Sequence, residues 1–167
     1  PVFVRTRQEE FDYPMGDRNA TTIYQGDRGL PVDSFFMRLV LSWELKIYQI
    51  LFTDNFTSDS RILLHRRIGE RIPRIAPFLS YDGDPYLVIH EGRLLWIQDA
   101  YTVSDRYPYS EPFPQRRPGA INYIRNSVKV VMDAYLGDVY YYVADDTDPL
   151  IKVYQGIFPH LFKSLDE

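Results

Sequence analysis

The sequence predicts an α+β fold in which an antiparallel sheet, built from two β-hairpins, packs against helices. Three observations carry that expectation. An apolar repeat at helical spacing runs from Phe36 to Leu51. Two stretches rich in β-branched and aromatic residues fold back at glycine turns between positions 84 and 145. Asp148-Pro149 then opens a second helical repeat. With 167 residues the chain reads as one domain that buries about 70% of its unfolded surface.

In chain order, residues 1–33 have mixed polarity and turn punctuation at Pro14, Gly16, Gly26, Gly29 and Pro31. Only Thr21 to Gln25 reads as a strand, so this segment is predicted to be an arm lying across the rest. Residues 34–78 are the helical part. Phe36, Leu39, Val40, Trp43, Ile47, Ile50 and Leu51 recur three or four apart and form the expected buried face; Arg38, Ser42, Lys46 and Gln49 fill the other side. Asp33 or Ser34 is the N-cap. Asp59 or Ser60 then caps a second helix containing Ile62, Leu63, Leu64 and Ile68, which Pro73 and Pro77 kink or end.

The hairpin sheet is expected over 84–145. Tyr86 to His90 and Arg93 to Val103 pair around Glu91-Gly92, and Asn122 to Asp133 pairs with Val139 to Val143 around Leu136-Gly137. In the second pair Val128, Val130 and Met132 share one face, and Lys129, Val131 and Asp133 the other. Between the hairpins, 104–119 holds Pro108, Pro112, Pro114 and Pro118 and is expected to be an irregular loop. Over 148–164 a closing helix is predicted, capped by Asp148, with Ile151, Tyr154, Ile157, Phe158, Leu161 and Phe162 turned inward and Gly156 and Pro159 fraying its end.

Composition excludes several classes. A hydrophobic fraction of 45% and an aromatic fraction of 16% are not those of a disordered chain. Nineteen basic against 23 acidic residues, a net charge of -4, disfavour a nucleic-acid partner. Without cysteine there is no disulfide framework, thiolate zinc site, iron–sulfur cluster or cysteine nucleophile. The longest apolar stretch, SFFMRLVLSWELKIYQILF, is interrupted by Arg38, Glu44 and Lys46, so no membrane span is expected within these residues. The opening PVFVRTRQEEFDYP has no leader pattern, and the chain reads as a piece of something larger.

SRILLHR (60–66), DPYLVIHEGRLLWIQDAYTVSDRYPYS (84–110) and INYIRNSVKVVMDAYLGDVYYYVADDTDPL (121–150) together resemble uncharacterised protein family 0182. EFDYP, TIYQG and FPHLFK extend the resemblance over nearly the whole chain, and NYIRNSVK with DRYPYS are its most specific parts. The family is a group of large bacterial and cyanobacterial multi-pass membrane proteins. The resemblance implies a water-exposed region, on the extracytoplasmic side of the cell membrane, following transmembrane helices that lie outside these residues. It implies no reaction and no catalytic residues. Arg67 and Ile68 stand where the family's aspartate and proline are expected.

The residues themselves offer several chemical constellations. Arg106, Tyr107, Asn122, Arg125 and Asn126 flank the proline-rich loop; guanidinium forks and amides suit a carboxylate, a phosphate or a peptide backbone. The same groups suit pinning the loop's own carbonyls, which is the favoured role. Asp99 and Asp133, each followed by Ala-Tyr, suggest a faint duplicated hairpin and, if close together, an acid/base pair; turn hydrogen bonding is the favoured alternative. Asp145, Asp146 and Asp148 lack the spacing, glycine and glutamate of a calcium loop, and capping accounts for Asp148. His65, His90 and His160 lie on separate elements without a ligand spacing. Arg61, Arg66, Arg67, Arg71 and Arg74 form a basic stretch, read as a solvated helix face rather than a contact for anionic head groups. GxSxG, GxxxxGK[ST] and HExxH are absent.

The leading expectation is therefore a non-catalytic contact module, with no cofactor and no metal assigned. Its expected partners are the remainder of a parent membrane protein, with self-association or an external ligand also open. A surface hydrolase or transferase using Asp99 and Asp133 with Arg106 or Arg125, and a peptide-binding or inhibitory module working by strand addition, are the competing readings.

Overall fold

A computed structural model describes residues 1–113 and 121–166. Its contacts divide into two compact units, residues 1–66 and the chain from Arg67 onward. The later part of the proline-rich loop, 114–119, lies outside the described residues.

In the first unit, β1 (Val2–Val4), β4 (Leu30–Pro31) and β5 (Arg61–Leu63) form an antiparallel sheet with β5 in the centre. A separate hairpin joins β2 (Glu10–Met15) to β3 (Arg18–Thr22). The segment read as an arm thus supplies four strands. The strand expected at Thr21 to Gln25 ends at Thr22, because the Tyr24 N–H donates to Glu10 Oε2 (3.0 Å) instead of entering a ladder. Arg5 binds the same region, donating to the carbonyls of Tyr24 (3.0 Å) and Gly26 (2.9 Å), while its own N–H meets Glu10 Oε1 (2.6 Å). At Gly29, φ is +101°, and an added Cβ would stand 2.8 Å from Leu63 Cδ2 and 2.9 Å from the Ile62 carbonyl oxygen, so only glycine fits there.

The second predicted helix is corrected at its start. Ile62-Leu63-Leu64 is a short apolar run, which suits a strand buried on both faces as well as it suits a helix. Ile62 enters one apolar cluster with Val32, Leu41 and Ile50, and Leu63 another with Val4 and Tyr24. The helical part therefore contains a central strand, and α3 (Ile68–Ile75) begins only after His65 adopts φ +49°. Pro73 sits inside α3, and Pro77 follows its end.

The first helix is also corrected. It spans α1 (Phe35–Leu45), capped by Ser34 Oγ on the Met37 N–H (3.2 Å), and stops where Lys46 turns left-handed at φ +56°; a short α2 (Gln49–Phe52) follows. Ile50 of α2 is buried as expected, but within α1 the orientation is the reverse of the expected one. Leu41 and Ser42 are buried, Met37 and Leu45 pack on the core, and Arg38 donates to the Val32 carbonyl (3.0 Å) with its guanidinium over the Phe56 ring. Phe36 (71% exposed), Leu39, Val40 and Trp43 (83% exposed) face away from that core. Periodicity finds a stripe but cannot say which stripe the neighbours cover.

The second unit holds the predicted sheet. β7 (Tyr86–His90) and β8 (Arg93–Ser104) form the first hairpin, and β9 (Tyr123–Asp133) and β10 (Val139–Val143) the second. β8 joins the two by pairing with β9, while β6 (Ser80–Tyr81) adds to the far end of β8. One sheet face carries Ala100, Val128, Val130, Met132, Tyr141 and Val143 into a single core with Ile68 and Ile72 of α3 and Ile151 of α4 (Pro149–Ile157). Tyr141 donates to the Ile72 carbonyl (2.8 Å) and Tyr81 to that of Ala76 (2.7 Å), which ties the buried last turn of α3 to β10 and β6. Burial of these hydroxyls raises both pKa values, Tyr81 to about 12.

The closing helix is shorter than the 148–164 expected. It ends at Ile157, because Phe158 precedes Pro159 and leaves the helical region at φ -123°, ψ 69°. Residues Phe162–Ser164 form β11, parallel to β10, so α4 is the crossover that a parallel pair requires. Phe162 keeps its inward role, meeting the Tyr141 ring edge-on, whereas Ile157 is exposed.

Candidate functional site

The distinctive NYIRNS motif is Asn122 to Ser127, at the start of β9. Its chemistry follows from one irregularity. Between the pairs Ala100↔Val128 and Thr102↔Arg125, β9 has Asn126 and Ser127 opposite Tyr101 alone. That extra residue is a β-bulge, and it turns Ser127 and Val128, successive in sequence, into the same buried side.

Ser127 thereby reaches the fully buried carboxylate of Asp148, the N-cap of α4. Asp148 Oδ2 accepts from Ser127 Oγ and from Thr102 Oγ1, each at 2.5 Å. Oδ1 accepts from the Tyr123 hydroxyl (2.6 Å) and the Leu150 N–H (2.9 Å). Burial is the largest influence on this carboxyl and opposes its charge, but the bonds from Ser127, Thr102, Tyr123 and Leu150 together hold it below the ordinary carboxylate range. The Tyr123 hydroxyl is raised, first by burial and then by donating to Asp148. One carboxylate thus ties β8, β9 and α4 together.

The five singled-out residues serve this framework in different ways. Asn122 pins the loop: its Oδ1 accepts from the Tyr107 N–H (2.8 Å), and its Nδ2 donates to the carbonyls of Tyr107 (2.8 Å) and Ser110 (3.2 Å). Tyr107 stacks on Tyr123 with ring centroids 4.4 Å apart. Arg125 pairs with Asp145 (2.7 Å) and donates to Thr147 Oγ1 (2.8 Å). Asn126, pointing the other way, donates to Asp99 Oδ2 (2.9 Å). Arg106 lies 3.9 Å from the carboxylate of its neighbour Asp105 and otherwise extends into solvent, its side chain 91% exposed. The structure therefore brings Tyr107, Asn122 and Arg125 around Tyr123 and Asp148, and leaves Asn126 and Arg106 apart from them.

Asp99 and Asp133 do not form an acid/base pair. By strand register they stand four residues apart along β8 and β9, about 13 Å. Each has its own cation: Lys129 lies 2.5 Å from Asp99, and Arg93 lies 2.7 Å from Asp133. The two DAY segments also differ in structure. Asp133 closes the hairpin turn by accepting from the Tyr135 and Leu136 N–H groups (2.8 and 2.7 Å), whereas Asp99 lies within β8 beside the bulge. Among the described residues, no group of three acidic or histidine side chains gathers in a metal-binding arrangement. Asp145 is engaged by Thr147 as well as Arg125.

Thr102 and Ser127 were not among the residues that sequence reasoning selects. A signal existed in Arg125-Asn126-Ser127, three polar residues in succession where a strand with one buried face is expected to alternate.

The sequence pattern of Uncharacterised protein family (UPF0182) matches residues 1–167, the whole chain. The chain belongs to UPF0182. A UPF0182 protein of Desulforamulus reducens is 53% identical over 167 residues, covering 99% of this chain and 18% of that protein. One from Methanospirillum hungatei is 50% identical over 97% of this chain, and one from Trichodesmium erythraeum 44% identical over 96%. The chain thus spans about 18% of the length of the UPF0182 relatives it matches. No solved structure matches it. The Asp148 cluster, like every other residue of the chain, lies inside the UPF0182 match, and within it Tyr123 and Ser127 of the NYIRNS segment help to lock the sheet to α4.

Proposed function

We propose that this chain is a non-catalytic contact module of a larger membrane-embedded protein, exposed to water on the extracytoplasmic side. The observation that carries the reading is the fate of the polar residues of the NYIRNS segment. Tyr123 and Ser127 bond Asp148, Asn122 bonds the loop backbone, Arg125 bonds Asp145 and Thr147, and Asn126 bonds Asp99. Side chains used this way fix a shape instead of turning over a substrate. Asn122, Tyr107, Arg125 and Asn126 then contribute to binding by holding the surface around the loop, and Arg106 is the group that reaches a partner. No helix among the described residues is long and apolar enough to cross a membrane, so attachment in this reading comes from other parts of the protein.

Impermeant thiol labelling tests the location. The chain contributes no cysteine of its own, and Tyr109 is fully exposed. In the full-length protein, made cysteine-free elsewhere, the Tyr109→Cys variant should label in intact cells. Labelling only after lysis overturns the extracytoplasmic placement, and recovery of the protein in the soluble fraction overturns the membrane attachment.

A further inference from the structure

The first unit exposes apolar surface in a pattern. Phe36, Val40 and Trp43, at i, i+4 and i+7, form a ridge along α1, flanked by Phe35 and Leu39. α2 packs beside α1 and adds Tyr48 and Phe52, the latter 84% exposed. Below them Phe3, Ile47, Ile50 and Phe56 line a cavity of about 400 Å³, rimmed by Gln8, Gln49 and Asn55. Single exposed apolar residues are ordinary, but a run of aromatic side chains on adjoining elements is the signature of a covered face.

We propose that this face of α1 and α2 is covered by another segment of the same, longer polypeptide, one presenting an apolar surface fringed by basic side chains. The inference rests on the contact-module reading above. Two observations choose the occupant. First, the family relatives match this chain over 99% of its length while it spans only 18% of theirs, so chain is available to cover the face. Second, the fringe is acidic. Asp33, Glu44 and Asp54 are exposed around the ridge against Lys46, while Arg38 is turned inward onto the Val32 carbonyl. An anionic lipid surface is repelled by such a fringe, because interfacial helices bind through basic flanks. A two-fold pair of this chain sets the same patch against itself, and in an antiparallel crossing Asp33 meets Glu44. A basic-fringed segment of the parent chain meets neither objection.

The test uses the full-length protein in its membrane. A photoreactive benzoylphenylalanine at Trp43, with a second variant at Phe52 and a control at exposed Arg67, should crosslink intramolecularly at the first two sites to one apolar segment with basic neighbours, and not at the control. Hydroxyl-radical footprinting of the unsubstituted protein, which needs no variant, should show loss of oxidation at Trp43 while Tyr109 stays reactive. Links to lipid or to a second copy, no link at either site, or Trp43 oxidised as readily as Tyr109 would overturn the proposal. Failure of the reading above shows elsewhere: Tyr109→Cys labelling only after lysis changes the side of the membrane and leaves the crosslinked segment intact.

Discussion

The two units solve the same problem to different degrees. The unit from Arg67 onward closes its core: two helices cover one sheet face, and the polar groups at its edge meet on Asp148. The first 66 residues have small apolar clusters, a two-stranded hairpin with Phe11, Tyr13 and Met15 exposed, and a helix whose most apolar ridge faces outward. A chain of that length buries only about 60% of its unfolded surface, so it depends more on neighbours. The difference lies between a sheet locked to its helix by buried polar groups and a helix that leaves its apolar ridge, Phe36, Val40 and Trp43, exposed.

One tryptophan in each unit makes the comparison measurable: Trp43 lies in the first, and Trp96 packs against the core of the second. The largest effect is expected from Asp148→Ala. It leaves Thr102, Ser127, Tyr123 and the Leu150 N–H without their shared acceptor. Urea unfolding followed at Trp96, in a Trp43→Phe background, should show a loss of about 4 kcal/mol, the cost of orphaning buried groups that bonded a charge. A loss below about 1 kcal/mol would mean the carboxylate is not the lock. Leu41→Ala, followed at Trp43 in a Trp96→Phe background, should cost about 3 kcal/mol for the cavity left in the first unit's core. If either variant moves both transitions equally, the units do not unfold separately and the comparison fails.

Much of the second unit was legible in sequence because its signals are local. Glu91-Gly92 and Leu136-Gly137 set both turns, alternation assigned Val128, Val130 and Met132 to the core, and Asp148-Pro149 started the helix. The bulge was not legible, since the register of β9 against β8 depends on a distant strand, and with it went Thr102 and Ser127. In the first unit the decisive facts are long-range. Arg61-Ile62-Leu63 becomes a strand because β1 and β4 flank it, and α1 buries Leu41 and Ser42 because those are the residues its neighbours reach. Of the candidate residues, Asn122 bonds the loop carbonyls, the role favoured from sequence, whereas Arg125 and Asn126 bond Thr147 and Asp99, partners that local sequence does not name.

Acid sharpens the contrast next. The pKa of Asp148 is depressed in the folded protein, with that of Asp145 lowered mainly by its bond to Thr147. A depressed carboxyl contributes stability that is fully present above its unfolded value of about 3.9 and is lost as pH falls toward the folded value. The Trp96 transition should therefore weaken progressively below about pH 4, and in Asp148→Ala that acid limb should flatten. An unchanged limb in the variant would place the acid sensitivity elsewhere.

The smallest expected effect is the most discriminating. Phe36 is a large aromatic residue on the face that periodicity assigns to the core, and removing it from a packed interior would cost about 3 to 5 kcal/mol. The structure places it 71% exposed, so in this chain Phe36→Ser should change the Trp43-detected stability by no more than about 0.5 kcal/mol. In the full-length protein, where the ridge is proposed to be covered, the same substitution should be destabilising, as judged by protease resistance of the membrane-bound form. A cost in the isolated chain as large as that of Leu41→Ala would show that α1 is turned the other way, with Phe36 and Trp43 buried, and the outward ridge would no longer need a partner.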